Sequence, residues 1–310
     1  MKNRELLKNK ISIGLSLEMS LEEYEKIFEK YHGYIKSIYF SPPLGDIYHS
    51  RNLISEQFEN PDIVKKFNKI LELARKYNIK LDCVLNTPNL PEQKVIESFP
   101  TLKSYDLDQI TCLNEHAEII SKEFPNQELI YSYNNDFKMK KLENISRSFS
   151  TIVVGKYFLR IPHYLEAIHD NGFEVKLLVN NGCSYNCMGC GKGTRNCSRT
   201  FEHNLKNMSA EELYAMQSFY PYELNELLSK LSYEPESIKI SNRTDGYEYL
   251  DMCLDSYINE IPPEEYISMN PRNYRLYNRL GCFSGLLENI DKEHVMQYKK
   301  RGFKFWVMKS

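Results

Sequence analysis

The feature that most constrains this chain is a repeated alternation of short apolar runs with amphipathic helical segments. Eight runs read as strands: 11–16, 35–41, 79–85, 109–113, 128–133, 151–154, 174–179 and 237–241. Helical periodicity or turn residues separate most of them. After the first run, Ser20 and Glu23 form a capping-box pattern that opens a helix with Leu21, Tyr24, Ile27, Phe28 and Tyr31 on one face. Gly33 then supplies the expected left-handed stop. After the second run, Asn60-Pro61 caps a helix whose inward face is Ile63, Phe67, Ile70, Leu71 and Ala74. A third helix begins at Pro162 and another covers 246–258.

Strand and helix in strict turn, with no all-β or all-α block, argue for a parallel sheet, and eight is the number that closes a TIM-like (β/α)8 barrel. A doubly wound open sheet is the alternative, but no G-x-G-x-x-G follows the first strand, so the barrel is preferred. Residues 1–260 are expected to form it, with a cysteine-containing insertion at about 181–236 after strand 7. Residues 261–310 are expected to form an extension packing on the barrel.

Composition excludes several classes. Forty Lys and Arg against 42 Asp and Glu leave a net charge of −2, which gives no field for grasping a phosphate backbone. Nucleic acid is not a favoured partner. No apolar run approaches the roughly 18 residues of a membrane span, and the charged residues 1–10 are followed by no apolar signal core. A cytoplasmic location is expected, where eight cysteines read as metal ligands or core thiols rather than disulfides.

Four of those cysteines, Cys183, Cys187, Cys190 and Cys197, lie within fifteen residues just after the seventh strand. Three thiolates in one short loop can hold three corners of a [4Fe–4S] cubane, and the neighbouring glycines let backbone N–H groups approach the sulfurs. Cys197 is the economical fourth ligand; a cluster with one open iron is the alternative. Zn²⁺ bound by four thiolates remains open as well. Cys83 and Cys112 sit in strand runs and Cys253 in a helical run, which suits packing, while Cys282 could reach the barrel mouth.

Asn86, Asn114, Asn134, Asn180 and Asn242 close five of the strand runs, where barrel active sites lie, although Asn is also an ordinary strand-exit residue. Arg160 and Arg243 follow strands six and eight and could clamp a carboxylate or phosphate. After strand two, Asp46, Tyr48, His49 and Arg51 form a polar loop suited to an anionic or polar small molecule. His163 and His169 lie on different helix faces, so a shared metal is not expected.

The spacing Cys183-x3-Cys187-x2-Cys190 resembles the ligand motif of radical S-adenosylmethionine enzymes. In that superfamily the motif follows the first strand, whereas here it follows the seventh. A second resemblance covers roughly residues 150–260. It is carried by Val153-Val-Gly, Phe158-Leu-Arg160, Asn180-Asn-Gly-Cys183, Tyr220-Pro-Tyr-Glu-Leu224 and Ser237-Ile-Lys-Ile-Ser-Asn-Arg243, followed by a helix over 249–257. This set is similar to the collagenase-like peptidase family U32. The resemblance implies a TIM-like barrel, a four-Cys [4Fe–4S] cluster in several members, and relatives that perform oxygen-independent hydroxylation of quinone precursors or RNA bases. A small-molecule or nucleobase-like substrate and a redox or heterodimeric protein partner would follow. Ser241-Asn242 stands where the family has Glu-Gly, so no carboxylate role carries over. Proteolysis has no support from the residues, since neither H-E-x-x-H nor G-x-S-x-G is present. A redox or oxygen-insertion enzyme is the leading expectation, with a radical S-adenosylmethionine enzyme and a zinc-stabilised binding protein as alternatives.

Overall fold

The structure is a computed structural model that describes residues 3–44, 60–87, 90–132, 139–155, 158–159, 161–180, 221–241 and 246–261. Eight strands form a closed parallel barrel in sequence order: β1 (Ile11–Gly14), β2 (Ile35–Phe40), β3 (Lys80–Leu85), β4 (Gln109–Cys112), β5 (Glu128–Tyr131), β6 (Thr151–Gly155), β7 (Glu174–Leu178) and β8 (Ser237–Ile240). Each coincides with one of the eight apolar runs. Closure comes from β8 lying parallel to β1, with Ile11 beside Ile238 and Ile13 beside Ile240. The barrel is preferred over the open sheet because no strand is left as an edge.

Outside the barrel lie α1 (Asn3–Leu6), α2 (Leu21–Tyr31), α3 (Pro61–Lys76), α4 (Glu92–Lys103), α5 (Ala117–Glu123), α6 (Pro162–Asp170), α7 (Pro221–Leu228) and α8 (Tyr247–Asn259). Local chemistry sets their starts. The Ser20 hydroxyl accepts from Glu23 N–H and the Glu23 carboxylate accepts from Ser20 N–H, a complete capping box. The Asn60 side chain accepts from Asp62 N–H, with Pro61 at the first helical position. The expected left-handed stop at Gly33 is not formed. α2 ends at His32 in right-handed conformation, φ −54°, and the glycine with positive φ is Gly172 after α6, at 83°. The two hydrogen bonds of Tyr34 and Asn9 around Gly33 turn the chain into β2 without that geometry. α7 falls inside the 181–236 stretch read as an insertion and is the crossover helix between β7 and β8. The remainder of that stretch, 181–220, and the extension 262–310 lie outside the described residues.

Alternation along each strand sorts the side chains into two sets. One set, including Ile11, Ile13, Ile38, Phe40, Leu81, Cys83, Leu85, Ile110, Cys112, Val175, Leu177, Ile238 and Ile240, faces the helices and joins the hydrophobic core. The other set faces the barrel interior and is largely polar: Ser12, Ser37, Asp82, Gln109, Thr111, Thr151, Lys176, Ser237 and Lys239 are all buried. Barrels of this class usually fill that space with branched apolar side chains. Here the Ser37 hydroxyl donates to Ser12 Oγ at 2.8 Å, and the Tyr39 hydroxyl reaches the Ile240 carbonyl at 3.0 Å. Lys239 Nζ stands 3.8 Å over the Tyr39 ring, a buried cation–π contact.

A charged group occupies the lower interior. Lys176 on β7 lies 3.7 Å from Asp82 on β3, and both side chains are 0% exposed. The same ammonium group is 3.9 Å from Glu236, which also pairs with Lys36 and accepts from the Ser237 hydroxyl. Thr111 Oγ1 donates to Asp82 Oδ1 at 2.6 Å. Two cations and two carboxylates thus compensate one another, with Lys176 and Asp82 fully buried and Lys36 partly exposed at the rim, as buried charges require.

Removing one partner leaves an uncompensated buried charge, so Lys176→Met should lower the unfolding free energy by about 3–5 kcal/mol, read from urea denaturation. Lys176→Met combined with Asp82→Leu should recover a large part of that loss. Burial opposes ionisation of Glu236, but Lys176 and Lys36 outweigh it and hold the carboxyl below its ordinary value. Its contribution to stability is complete above the ordinary Glu range, about pH 4.3, and is lost as pH falls through the lower folded value. Glu236→Gln should therefore flatten the acid side of the stability–pH curve.

Candidate active site at the C-terminal mouth of the barrel

Because all eight strands are parallel and the sheet is closed, every strand exit opens on one face, where barrel enzymes carry their chemistry. At the exits of β2 and β3 sit Ser41, Asn86 and Thr87. Asn86 Nδ2 donates to the Ser132 hydroxyl at the exit of β5, at 2.9 Å. Asn86 Oδ1, Ser41 Oγ and Thr87 Oγ1 are buried and have no hydrogen-bond partner among the described residues. Buried polar atoms are nearly always satisfied, and leaving one unpaired costs about 1–3 kcal/mol. Three such atoms at adjacent strand exits are acceptors and donors waiting for a ligand or water.

The other two described asparagines are occupied. Asn180, 1% exposed at the exit of β7, is a latch. Its Nδ2 donates to the Ser241 carbonyl and the Tyr249 hydroxyl, both at 3.0 Å, while its Oδ1 accepts from Ser241 N–H at 2.6 Å. It ties β7 to the exit of β8 and to α8. Asn114 is exposed and bridges the β4 exit to the segment before β6, donating to the Asn144 carbonyl at 3.1 Å and accepting from Ser146 N–H at 2.8 Å. The ring of five asparagines expected from the sequence thus resolves, at its described positions, into one mouth residue and two structural ties.

His116, two residues beyond Asn114, was not singled out by sequence. It is 3% exposed, and burial lowers its pKa against the pull of Glu115 and Glu92, which keeps the imidazole neutral near pH 7. Its Nε2 is 3.3 Å from Glu115 Oε1. Ser41, Thr87 and Ser132 also escaped the sequence reading, because a single hydroxyl after a strand carries no pattern.

His163 is exposed on α6, and His169 stacks on Tyr233 at 3.9 Å, so the two share no metal. Cys83, Cys112 and Cys253 are buried in the core and form no disulfide among the described residues. Burial, reinforced by Asp82, pushes the Cys83 and Cys112 thiols well up, so neither forms thiolate near neutral pH. Among the described residues no three His, Cys, Asp or Glu converge to hold a metal. Cys183, Cys187, Cys190, Cys197 and Cys282, together with His49, Arg51, Asn134, Arg160, Asn242 and Arg243, lie outside the described residues. Among the described residues no helix is long and apolar enough to cross a membrane. A cleft of about 280 Å³ opens on the opposite, N-terminal face, between α1, α7 and the start of β8, lined by Leu6, Leu228, Leu231, Tyr233 and Ile238.

No protein-family model and no curated protein matches the chain. Among solved structures it is similar to a U32 peptidase, with 11% identity and a TM-score of 0.49 over 76% of this chain and 93% of that one. It is also similar to tryptophan synthase from M. tuberculosis in ligand-free form, with 8% identity and a TM-score of 0.47 over 83% and 93% of the two chains. The tryptophan synthase A-subunit from Pyrococcus furiosus gives 11% identity and a TM-score of 0.44 over 88% and 99%. The barrel assignment rests on the strand pairing itself.

The buried thiols give a direct test. In the native protein Cys83, Cys112 and Cys253 should not react with a water-soluble disulfide reagent at neutral pH, and should react at once in denaturant. Asn180→Ala should cost about 2–3 kcal/mol in unfolding free energy, because it unpairs several buried groups, while Asn114→Ala should cost about 1 kcal/mol at its exposed site.

Proposed function

We propose that the chain is an iron–sulfur barrel enzyme of the U32-like type, acting by redox or oxygen-insertion chemistry on a small polar or aromatic substrate seated at the C-terminal mouth. The observation that carries the reading is the group of unpartnered buried atoms at the β2 and β3 exits, Ser41 Oγ, Asn86 Oδ1 and Thr87 Oγ1. Their mixture of one obligate acceptor and two hydroxyls suits neutral polar substituents such as hydroxyl or amide groups on a ring. Ser132 fixes the Asn86 amide by accepting from Nδ2, so that Oδ1 is the atom offered to the ligand. Arg160 and Arg243, carried over from the family resemblance, would hold an anionic group of the substrate.

The donor chemistry fits a cluster. The described chain leaves β7 at Asn180, three residues before Cys183, and burial keeps Cys83 and Cys112 protonated, so Cys183, Cys187, Cys190 and Cys197, grouped within fifteen residues, are the proposed thiolate set. When bound, a [4Fe–4S] cluster would supply electron transfer at that end of the barrel. The latch at Asn180 fixes the point from which the cysteine run departs, and the rest of the mouth binds and orients.

Anaerobic purification with iron, acid-labile sulfide and zinc analysis and a visible spectrum tests the reading. Iron and sulfide in comparable amounts with charge-transfer absorption are expected. Cys187→Ser should lose the cluster, because a hydroxyl replaces a soft thiolate poorly, while Cys83→Ala should keep it at a stability cost of about 1 kcal/mol or somewhat more. Stoichiometric zinc without visible absorption, or full iron retention in Cys187→Ser, overturns the assignment.

A further inference from the structure

The lower barrel interior contains polar atoms that the fold and the proposed site leave unexplained. Lys176 Nζ, Asp82 Oδ2 and Gln109 Oε1 are all buried and all lack a hydrogen-bond partner among the described residues. Gln109 is the direct neighbour of Asp82 in the β3–β4 register. The ammonium group lies between two carboxylates at 3.7 and 3.9 Å, beyond direct hydrogen-bonding distance to either. A shift toward one carboxylate would abandon the other, and the near-equal distances place Lys176 Nζ in a position that satisfies neither.

We propose that this interior is a hydration site, occupied by one or two water molecules that bridge Lys176 to Asp82 and Glu236. The hydrogen-bonding capacities match. A single water accepts from Lys176 Nζ and donates to two of the acceptors around it, Asp82 Oδ2, Glu236 Oε2 or Gln109 Oε1. Buried waters typically make about three such bonds to groups otherwise unsatisfied. Lys176 and Lys36 already pair with Asp82 and Glu236, and the Glu128 carboxylate accepts from Gln109 and Thr151, so a neutral ligand suits the site. Access decides against a substrate: Asp82, Gln109 and Lys176 are 0% exposed, and Lys239 stacked on Tyr39 lies two residues nearer the mouth on β8. The bridging water therefore sits beside the Lys176–Asp82 contact and hydrogen-bonds to both groups, and the site is distinct from the polar atoms at the β2 and β3 exits.

A crystal structure of the full wild-type chain, at a resolution that shows ordered solvent, tests this without any substitution. A water within about 2.7–3.2 Å of both Lys176 Nζ and Asp82 Oδ2 is expected. Direct contact of Lys176 with either carboxylate and no solvent density between them overturns the proposal, as does density with metal-like coordination. In solution, water-oxygen magnetic relaxation dispersion counts long-lived internal waters. The Lys176→Met/Asp82→Leu protein, which removes both charges together, should show at least one fewer than wild type. An unchanged count overturns the proposal.

Discussion

Everything in this molecule depends on the parallel pairing of β8 with β1. The Ile238 amide donates to the Lys10 carbonyl at 2.7 Å, and the register continues through Ile11, Ser12 and Ile13. That pairing removes both sheet edges and converts eight strands into a ring with a single mouth. The segments that flank the strands are drawn to the same seam. Asn3 donates its backbone N–H to Glu260 at 2.6 Å and its side-chain amide to the Pro221 and Tyr257 carbonyls at 3.0 and 3.1 Å. The short α1 thus seats against α7 and α8, beside the strand pair that closes the barrel.

Closure also creates the molecule's main energetic burden. The inward strand faces carry Asp82, Gln109, Thr111, Lys176 and Lys239, residues that would be solvated on an open sheet. Inside a ring they meet one another instead of bulk water, through the Thr111–Asp82 bond, the Lys176 contacts and the Tyr39–Lys239 stack, and Lys176 Nζ, Asp82 Oδ2 and Gln109 Oε1 are left without a direct hydrogen bond among the described residues. A polar interior of this kind contributes little net stability compared with an apolar one, because desolvation offsets most of the attraction. The hydrophobic work is done elsewhere, between the outer strand faces and the helices, where Phe40, Phe67 and Tyr105 meet edge to face.

This division explains what could be read from sequence. All eight strands were legible because their outward positions are mostly apolar at every second residue, and the helix starts were legible because Ser20, Glu23 and Asn60 are local signals. The stop at Gly33 was misread because a glycine after a helix is only a permission, and the backbone hydrogen bonds of the following turn did not require left-handed geometry. The polar interior was invisible for a different reason. Alternating apolar and charged residues look the same whether the charged face meets water or the inside of a ring, and only closure tells them apart. The same limit applies at the mouth: Asn86, Asn114 and Asn180 are each an asparagine after a strand, and their separate roles follow from Ser132, Ser146 and Ser241, partners 32 to 61 residues away.

The latch at Asn180 bears on how this barrel can vary over evolutionary time. One side chain joins the exit of β7 to the exit of β8 and to Tyr249 and Cys253 on α8, so the two strands are sealed together at the point where the chain departs. Lengthening or rewriting the sequence beyond that point does not unzip the barrel, since the last shared hydrogen bonds lie on its near side. The fold is thereby buffered against change in the stretch that carries the cysteines, and that stretch is free to acquire new chemistry at little risk to the scaffold beneath it.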